Sequence, residues 1–211
     1  MKLQNRVAPT GEILAVPARG TLMGNRGGPL HGAGKSLRSR RWATRQWICC
    51  RLDFNGRQRE IMAPGRYTEL FFLDEATALA AGHRPCFECR RADAVRFADA
   101  WRRAHAQNAN PRAADIDRAL HAQRLDARGG KQLHTYDVAD LPAGAFVLDH
   151  ASARPHLVQP CSLLPWTFTG YGPPQPRPRH GPATALTPPG IIGALKFGYV
   201  PMVHVSARIS G

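Results

Sequence analysis

The chain has 211 residues, room for one domain of ordinary size or two small ones around a real hydrophobic core, which excludes a chain too small to fold. Lys plus Arg number 29 against 15 acids, for a formal charge of +14 and a pI near 10.7; nearly all of the bases are Arg, which grips phosphate in a planar fork, so a polyanion is the leading partner unless an Arg-favouring genome set the balance. The odd count of five cysteines speaks against a disulfide framework; no apolar secretory core follows the first residues and no run nears a membrane span, so a soluble cytoplasmic protein without a membrane partner is expected.

Residues 1–41 form a basic, Gly- and Arg-rich opening, with a strand pair predicted at residues 12–16 and 20–23. The glycine-rich run at residues 24–36 lacks the phosphate-loop pattern, because Pro29 stands where the first glycine is required. It reads as a mobile basic loop, in which His31 and Lys35 are positioned to touch a phosphate. Next, Arg38, Arg40, Arg41 and Arg45 are interleaved with Trp42 and Trp47, charge and aromatic faces of the kind that hold single strands; the competing reading puts the tryptophans in the core. Asn55-Gly56 between two strand-like runs predicts a type I′ hairpin over residues 47–62. Alternation places Trp47, Cys49, Arg51 and Asp53 on one face and Ile48, Cys50, Leu52 and Phe54 on the other. Cys50 thus reads as a core thiol and Cys49 as the candidate ligand, an assignment that a bulge reverses.

A short apolar strand at residues 70–73 leads to an acidic helix start at Asp74-Glu75 and an Ala-rich helix that stops at Gly82, ahead of Pro85. Cys86 and Cys89 follow, two residues apart in a tight turn, which is half of a tetrahedral zinc site. Residues 92–105 form a helix with Val95, Ala98 and Trp101 on its apolar side. A second helix, opened by Asn110-Pro111, carries Ala113, Ile116 and Leu120. Short strands are predicted at residues 134–138, 145–149, 156–158 and 166–169, then a stiff proline-rich loop at 172–182 and a last helix at 190–197 that ends at Gly198. Residues 195–201 repeat the helix stop of residues 79–85.

Phe72, Asp74, Ala76 and the run Ala80-Ala-Gly-His-Arg-Pro-Cys-Phe-Glu-Cys-Arg90 resemble the zinc-binding domain of the Ada DNA-repair protein and related modules appended to bacterial nucleases and DNA-uptake proteins. The resemblance spans about residues 47–91 and maps the family's second cysteine pair onto Cys86 and Cys89. It departs in the first half: the family has Cys-x-x-x-Cys, one of them the methyl acceptor, whereas this chain has adjacent Cys49 and Cys50. The implied zinc site comprises Cys49 or Cys50, Cys86, Cys89 and a histidine, His83 being nearest and His31 possible; the alternative is a metal-free knuckle held by packing. The C-terminal half resembles bacterial proteins that imply no activity.

The expected fold is therefore α+β, a β-hairpin and helical knuckle packed with a small antiparallel sheet. It divides into a basic segment at residues 1–41, the knuckle and helices at 42–130 and a strand-rich half at 131–211, in one compact body. The expected function is nucleic-acid binding, of DNA above all, by a protein with an Ada-like knuckle; the resemblance implies zinc as cofactor and a role in DNA repair or processing. Arg38, Arg40, Arg41, Trp42, Arg45, Arg84, Arg90 and Arg91 are the candidate contacts. Two alternatives are a zinc thiolate that takes a methyl group from DNA and a nuclease built on His31, His134, His150, His156, His180 or His204 with Asp137 or Asp149.

Overall fold

A computed structural model describes residues 2–57 and 60–208. Four α-helices and two mostly antiparallel sheets make an α+β fold. The first sheet contains β1 (Arg6–Val7), β2 (Ile13–Leu14), β3 (Leu22–Asn25), β4 (Ile48–Cys50), β5 (Leu70–Phe72) and β6 (Arg84–Pro85), in the order β2-β1-β5-β3-β4-β6. Leu22, Cys49, Leu70 and Phe72 turn to one face and pack with Val7, Ile13 and Leu30. Gly24 of β3 is forced by this packing: a Cβ there would stand 2.1 Å from the Ile48 carbonyl and 2.9 Å from the Phe72 ring.

Two local expectations for this sheet are corrected. Residues 12–16 and 20–23 do not pair; β2 folds back on β1, and β3 lies between β5 and β4. Pairing on both edges satisfies the backbone groups of β3, and Leu22 is buried by the side chains packed on that face of the sheet. Asn55 and Gly56 have the positive φ of a type I′ turn (+55° and +62°), and Arg57 N donates to Phe54 O at 3.3 Å. Yet β4 stops at Cys50, both its edges being taken by β3 and, in parallel, β6. Of the expected return strand, Gln58 and Arg59 lie outside the described residues.

Helix α1 (Glu75–Ala80) is short and buried on every side, which explains its alanines. Ala78 and Ala81 face the first sheet, Leu79 the helical core, and Ala76 and Ala80 the second sheet. Asp74 caps it by accepting from Thr77 N at 2.9 Å, and its other oxygen accepts from Tyr171 Oη at 2.7 Å and His204 N at 2.9 Å. The predicted stop at Gly82 is present: φ is +86°, with Gly82 N donating to Leu79 O at 2.8 Å and His83 N to Ala78 O at 2.9 Å.

The second sheet holds β7 (His134–Asp137), β8 (Phe146–Asp149), β9 (Arg154–Val158), β10 (Ser162–Thr167), β11 (Gly170–Tyr171), β12 (Gln175–Pro176) and β13 (Pro182–Ala185). Its order is β11-β10-β9-β8-β13-β7, with β12 on the side of β10. The four expected strands are there; β13, at the end of the proline-rich loop, is an addition that bridges β8 and β7. Helices α2 (Arg91–Ala104), α3 (Ala113–Arg124) and α4 (Pro189–Lys196) cover this sheet, with Phe97, Trp101, Ile116, Leu120, Ile191 and Leu195 packed on Val147 and Val158. On α2 the apolar stripe is Ala94, Phe97, Ala98 and Trp101, and Val95 is exposed. Among the described residues no helix is long and apolar enough to cross a membrane.

Candidate metal centre

Pleating of β4 decides which of its two cysteines is available. Cys49 points inward and is fully buried in the core of the first sheet, whereas Cys50 is half-buried and opens on a cavity of about 180 Å³. The expected roles of the two are thus exchanged: the alternation is right, and the buried face is the one that carries Trp47 and Cys49. The parallel pairing of β4 with β6, and a bond from Cys86 N to Cys49 O at 3.0 Å, then bring the Cys86 turn alongside. Arg90 N closes that turn onto Cys86 O at 3.0 Å.

The result is one cluster: the sulfurs of Cys50, Cys86 and Cys89 all lie within 4.8 Å of one another. Two backbone amides point at them, Glu88 N to Cys86 Sγ and Arg51 N to Cys89 Sγ, each at 3.4 Å. Amides aimed at sulfur favour the thiolate, the form that binds metal. The Cys50 thiol, then that of Cys89, also donates toward Cys86 and holds it well below the usual thiol range, while the same contact pushes Cys50 up. Cys49 is different, since burial pushes its thiol up and outweighs the nearby Arg90 guanidinium. Three sulfurs in mutual reach, with donors directed at two of them, can hold a metal ion.

No other group of His, Cys, Asp or Glu among the described residues is disposed to hold a metal. His83 lies in the core, with its ring 5.2 Å from Trp47 and 4.7 Å from Phe72, and its Nε2 accepts from Arg26 Nε at 3.3 Å. The helix stop at Gly82 turns it away from Cys86. Buried His31 bonds Thr68 Oγ1 at 2.6 Å. His134, His150, His156 and His204 bond separate partners, Gln123, Thr184, Arg154 and Ser206, and His180 is exposed within 3.9 Å of Asp137.

Of the candidate nucleic-acid contacts, Arg38, Arg40, Arg41, Arg45 and Arg91 are exposed. None of these five takes part in an ion pair among the described residues. Trp42 is half-buried, edge-on to His121 at 4.6 Å, with Arg40 5.5 Å from its ring. Two expected contacts are structural instead. Arg84 is buried and grips Asp117 with Nε and Nη2, at 2.9 and 2.7 Å. Arg90 is buried between Glu75 at 2.9 Å and Asp93 at 2.7 Å. Sequence reasoning missed Arg57 and Glu88, which border the cysteine cavity as an ion pair at 2.9 Å; their separation along the chain gave no signal.

No family model, curated protein or solved structure matches this chain. What stands of the Ada-like expectation is the cysteine cluster itself, formed by Cys50 rather than Cys49 with Cys86 and Cys89.

Proposed function

We propose that the protein binds one zinc ion through Cys50, Cys86 and Cys89 and engages nucleic acid through its unpaired arginines. The observation that carries the reading is the three-sulfur cluster on an open cavity. Four sulfurs at about 2.3 Å from a tetrahedral zinc stand about 3.8 Å apart, a separation compatible with three sulfurs that all lie within 4.8 Å of one another. Cys50, Cys86 and Cys89 would hold the zinc, and beside the cavity it would supply a fixed positive charge and Lewis acidity. Around it, Arg51 and Arg57 attract an anionic group, and Glu88 holds Arg57 in place. The charge of +14 and the unpaired arginines at residues 38–45 support a polyanionic partner, and DNA is the one we test.

A second reading rests on the openness of Cys50 and Cys89, both half-buried on the cavity wall. Without a metal the Cys50 and Cys89 thiols are held protonated by their neighbours. Deprotonated as zinc ligands, either would take a methyl group from alkylated DNA phosphate, with the S–C bond formed, the C–O bond broken and the electron pair left on the phosphate oxygen. Methylated DNA then leaves the protein about 14 Da heavier, the mass of one methyl replacing one proton. No gain from the zinc-loaded protein removes this reading and leaves the binding function in place. Binding itself is tested by titrating duplex DNA at several salt concentrations; a flat salt response overturns the nucleic-acid assignment.

A further inference from the structure

Trp47 faces away from the cysteine cavity, into a second one of about 610 Å³ that runs from the arginine-rich loop to the second sheet. Arg26 and Arg124 each lie with the guanidinium carbon 3.9 Å from the Trp47 ring centre, and they are 2% and 1% exposed. Lys131 adds a third cation to the wall and Arg41 a fourth at the rim.

The three inner cations bond only neutral groups. Arg26 donates to Gly11 O at 2.8 Å, Arg41 O at 3.3 Å and His83 Nε2 at 3.3 Å. Arg124 donates to Gly82 O at 2.8 Å and Arg45 O at 2.6 Å and contacts His121 Nδ1 at 3.0 Å, and its buried Nε has no partner. Lys131 donates to Ala80 O. Three acids are near, and none pairs with these cations. Asp117, which acts on Arg124 through space, is held by Arg84; Glu12, exposed on the cavity wall, accepts from Thr10 Oγ1 at 3.0 Å; and exposed Asp126 accepts from Gly130 N and Arg128 N, each at 2.8 Å. Like charges removed from water repel each other and have lost hydration, a cost that falls when an anion enters or a proton leaves. Burial first, then the neighbouring cations, holds the Lys131 ammonium down to about 7 and the Arg26 and Arg124 guanidiniums down to about 9.

We propose that this cavity binds a phosphomonoester, with its phosphate between Lys131, Arg124 and Arg41 and its organic part against Trp42, Leu14, Leu125 and Leu133. Charge selects the class, because a phosphate dianion offsets two of the three inner cations where a carboxylate offsets one. The aliphatic wall and the Trp42 indole give the organic part an apolar bed. The phosphate belongs to a free nucleotide or to the end of a nucleic-acid strand led in along residues 38–45; only the latter source rests on the nucleic-acid function proposed above.

Calorimetric titration of the full chain with adenosine 5′-monophosphate, using adenosine as the phosphate-free control, tests the site. A 5′-phosphorylated oligonucleotide compared with its 5′-hydroxyl counterpart distinguishes the two sources. Adenosine monophosphate binds and adenosine does not. Lys131→Met and, separately, the exposed Arg41→Ala each weaken that binding about tenfold or more, as loss of a charged hydrogen-bonding partner does. Without ligand, Lys131→Met melts above the parent protein, because a half-buried cation without a counter-ion is gone. Preference for the phosphorylated oligonucleotide assigns the strand end, and equal binding of the two assigns the free nucleotide. Binding of adenosine monophosphate with no binding of either oligonucleotide sinks the nucleic-acid function and keeps this site. Indistinguishable titrations by adenosine and its monophosphate, or parent-like affinity in both variants, overturn the proposal.

Discussion

Cys49 and Cys50 show what a single peptide unit decides. Alternation along an extended strand puts neighbouring side chains on opposite faces, so one thiol is buried and the other is not. That much was legible in the sequence; which is which was not, because the choice belongs to strands distant along the chain that cover one face of β4. His83 was misread for a related reason. It stands three residues before Cys86, but the left-handed turn at Gly82 rotates it into the core against Trp47 and Phe72. Its burial, reinforced by the Arg26 guanidinium, holds the imidazole well below its ordinary value, so it is neutral in the folded protein. A lowered folded value means stability that is present above the unfolded value of 6.5 and lost as pH falls below it. The parent should therefore lose about 1.4 kcal/mol relative to His83→Gln between pH 7.5 and pH 5.5, read from urea unfolding at the two pH values. Parallel losses in the two proteins would falsify this assignment. Arg84 makes the opposite lesson: its charge suggested DNA, while its partner Asp117 lies 33 residues away on α3. Arg84→Ala, which strands that carboxylate, should cost about 3–5 kcal/mol in chemical denaturation.

At the level of elements, α1 is the joint of the molecule, and its composition announced it. Alanine on all sides fits a helix with no solvent face, and the Asp74-Glu75 start carried more than a cap. Glu75 accepts from Tyr199 Oη at 2.5 Å and Met202 N at 2.9 Å, tying the segment after α4 to the start of α1. The repeated helix stop was also legible. At α4, Gly198 has φ of +92°, and Gly198 N and Tyr199 N donate to Leu195 O and Ala194 O at 3.1 and 3.0 Å, the same pair of bonds as at Gly82. The two stops differ in their surroundings. A Cβ on Gly82 would meet Arg124 Cδ at 2.7 Å, while one on Gly198 would come no nearer than 4.0 Å to Arg103. Gly198→Ala should therefore cost about 1–2 kcal/mol for the left-handed backbone alone. Gly82→Ala should cost about 1–3 kcal/mol more for the overpacking. Equal melting temperatures for the two variants would contradict the close approach of Arg124. Among the described residues the predicted hairpin has its turn at Asn55-Gly56 but no strand pair: β4, already paired on both edges, has no edge left for a hairpin partner.

Over the whole molecule, composition foretold an α+β chain with a strongly cationic surface and could not apportion the cations. Some are consumed by buried carboxylates, as at Arg84 and Arg90, some are gathered without counter-ions around Trp47, and those of residues 38–45 are exposed and form no ion pair among the described residues. DNA affinity should fall with salt at a log–log slope of about 0.9 per phosphate neutralised, and Arg41→Ala with Arg45→Ala should lower the slope by about 2 and weaken all sequences alike. Loss of affinity for one sequence alone would argue against backbone contacts. The central claim is that the sulfurs of Cys50, Cys86 and Cys89 bind metal and that of Cys49 does not, and elemental analysis of protein purified without chelator tests it most directly. The account predicts about one zinc per chain, kept in Cys49→Ala and lost in Cys50→Ser and Cys86→Ser; a metal-free parent, or zinc that follows Cys49 and not Cys50, would contradict it.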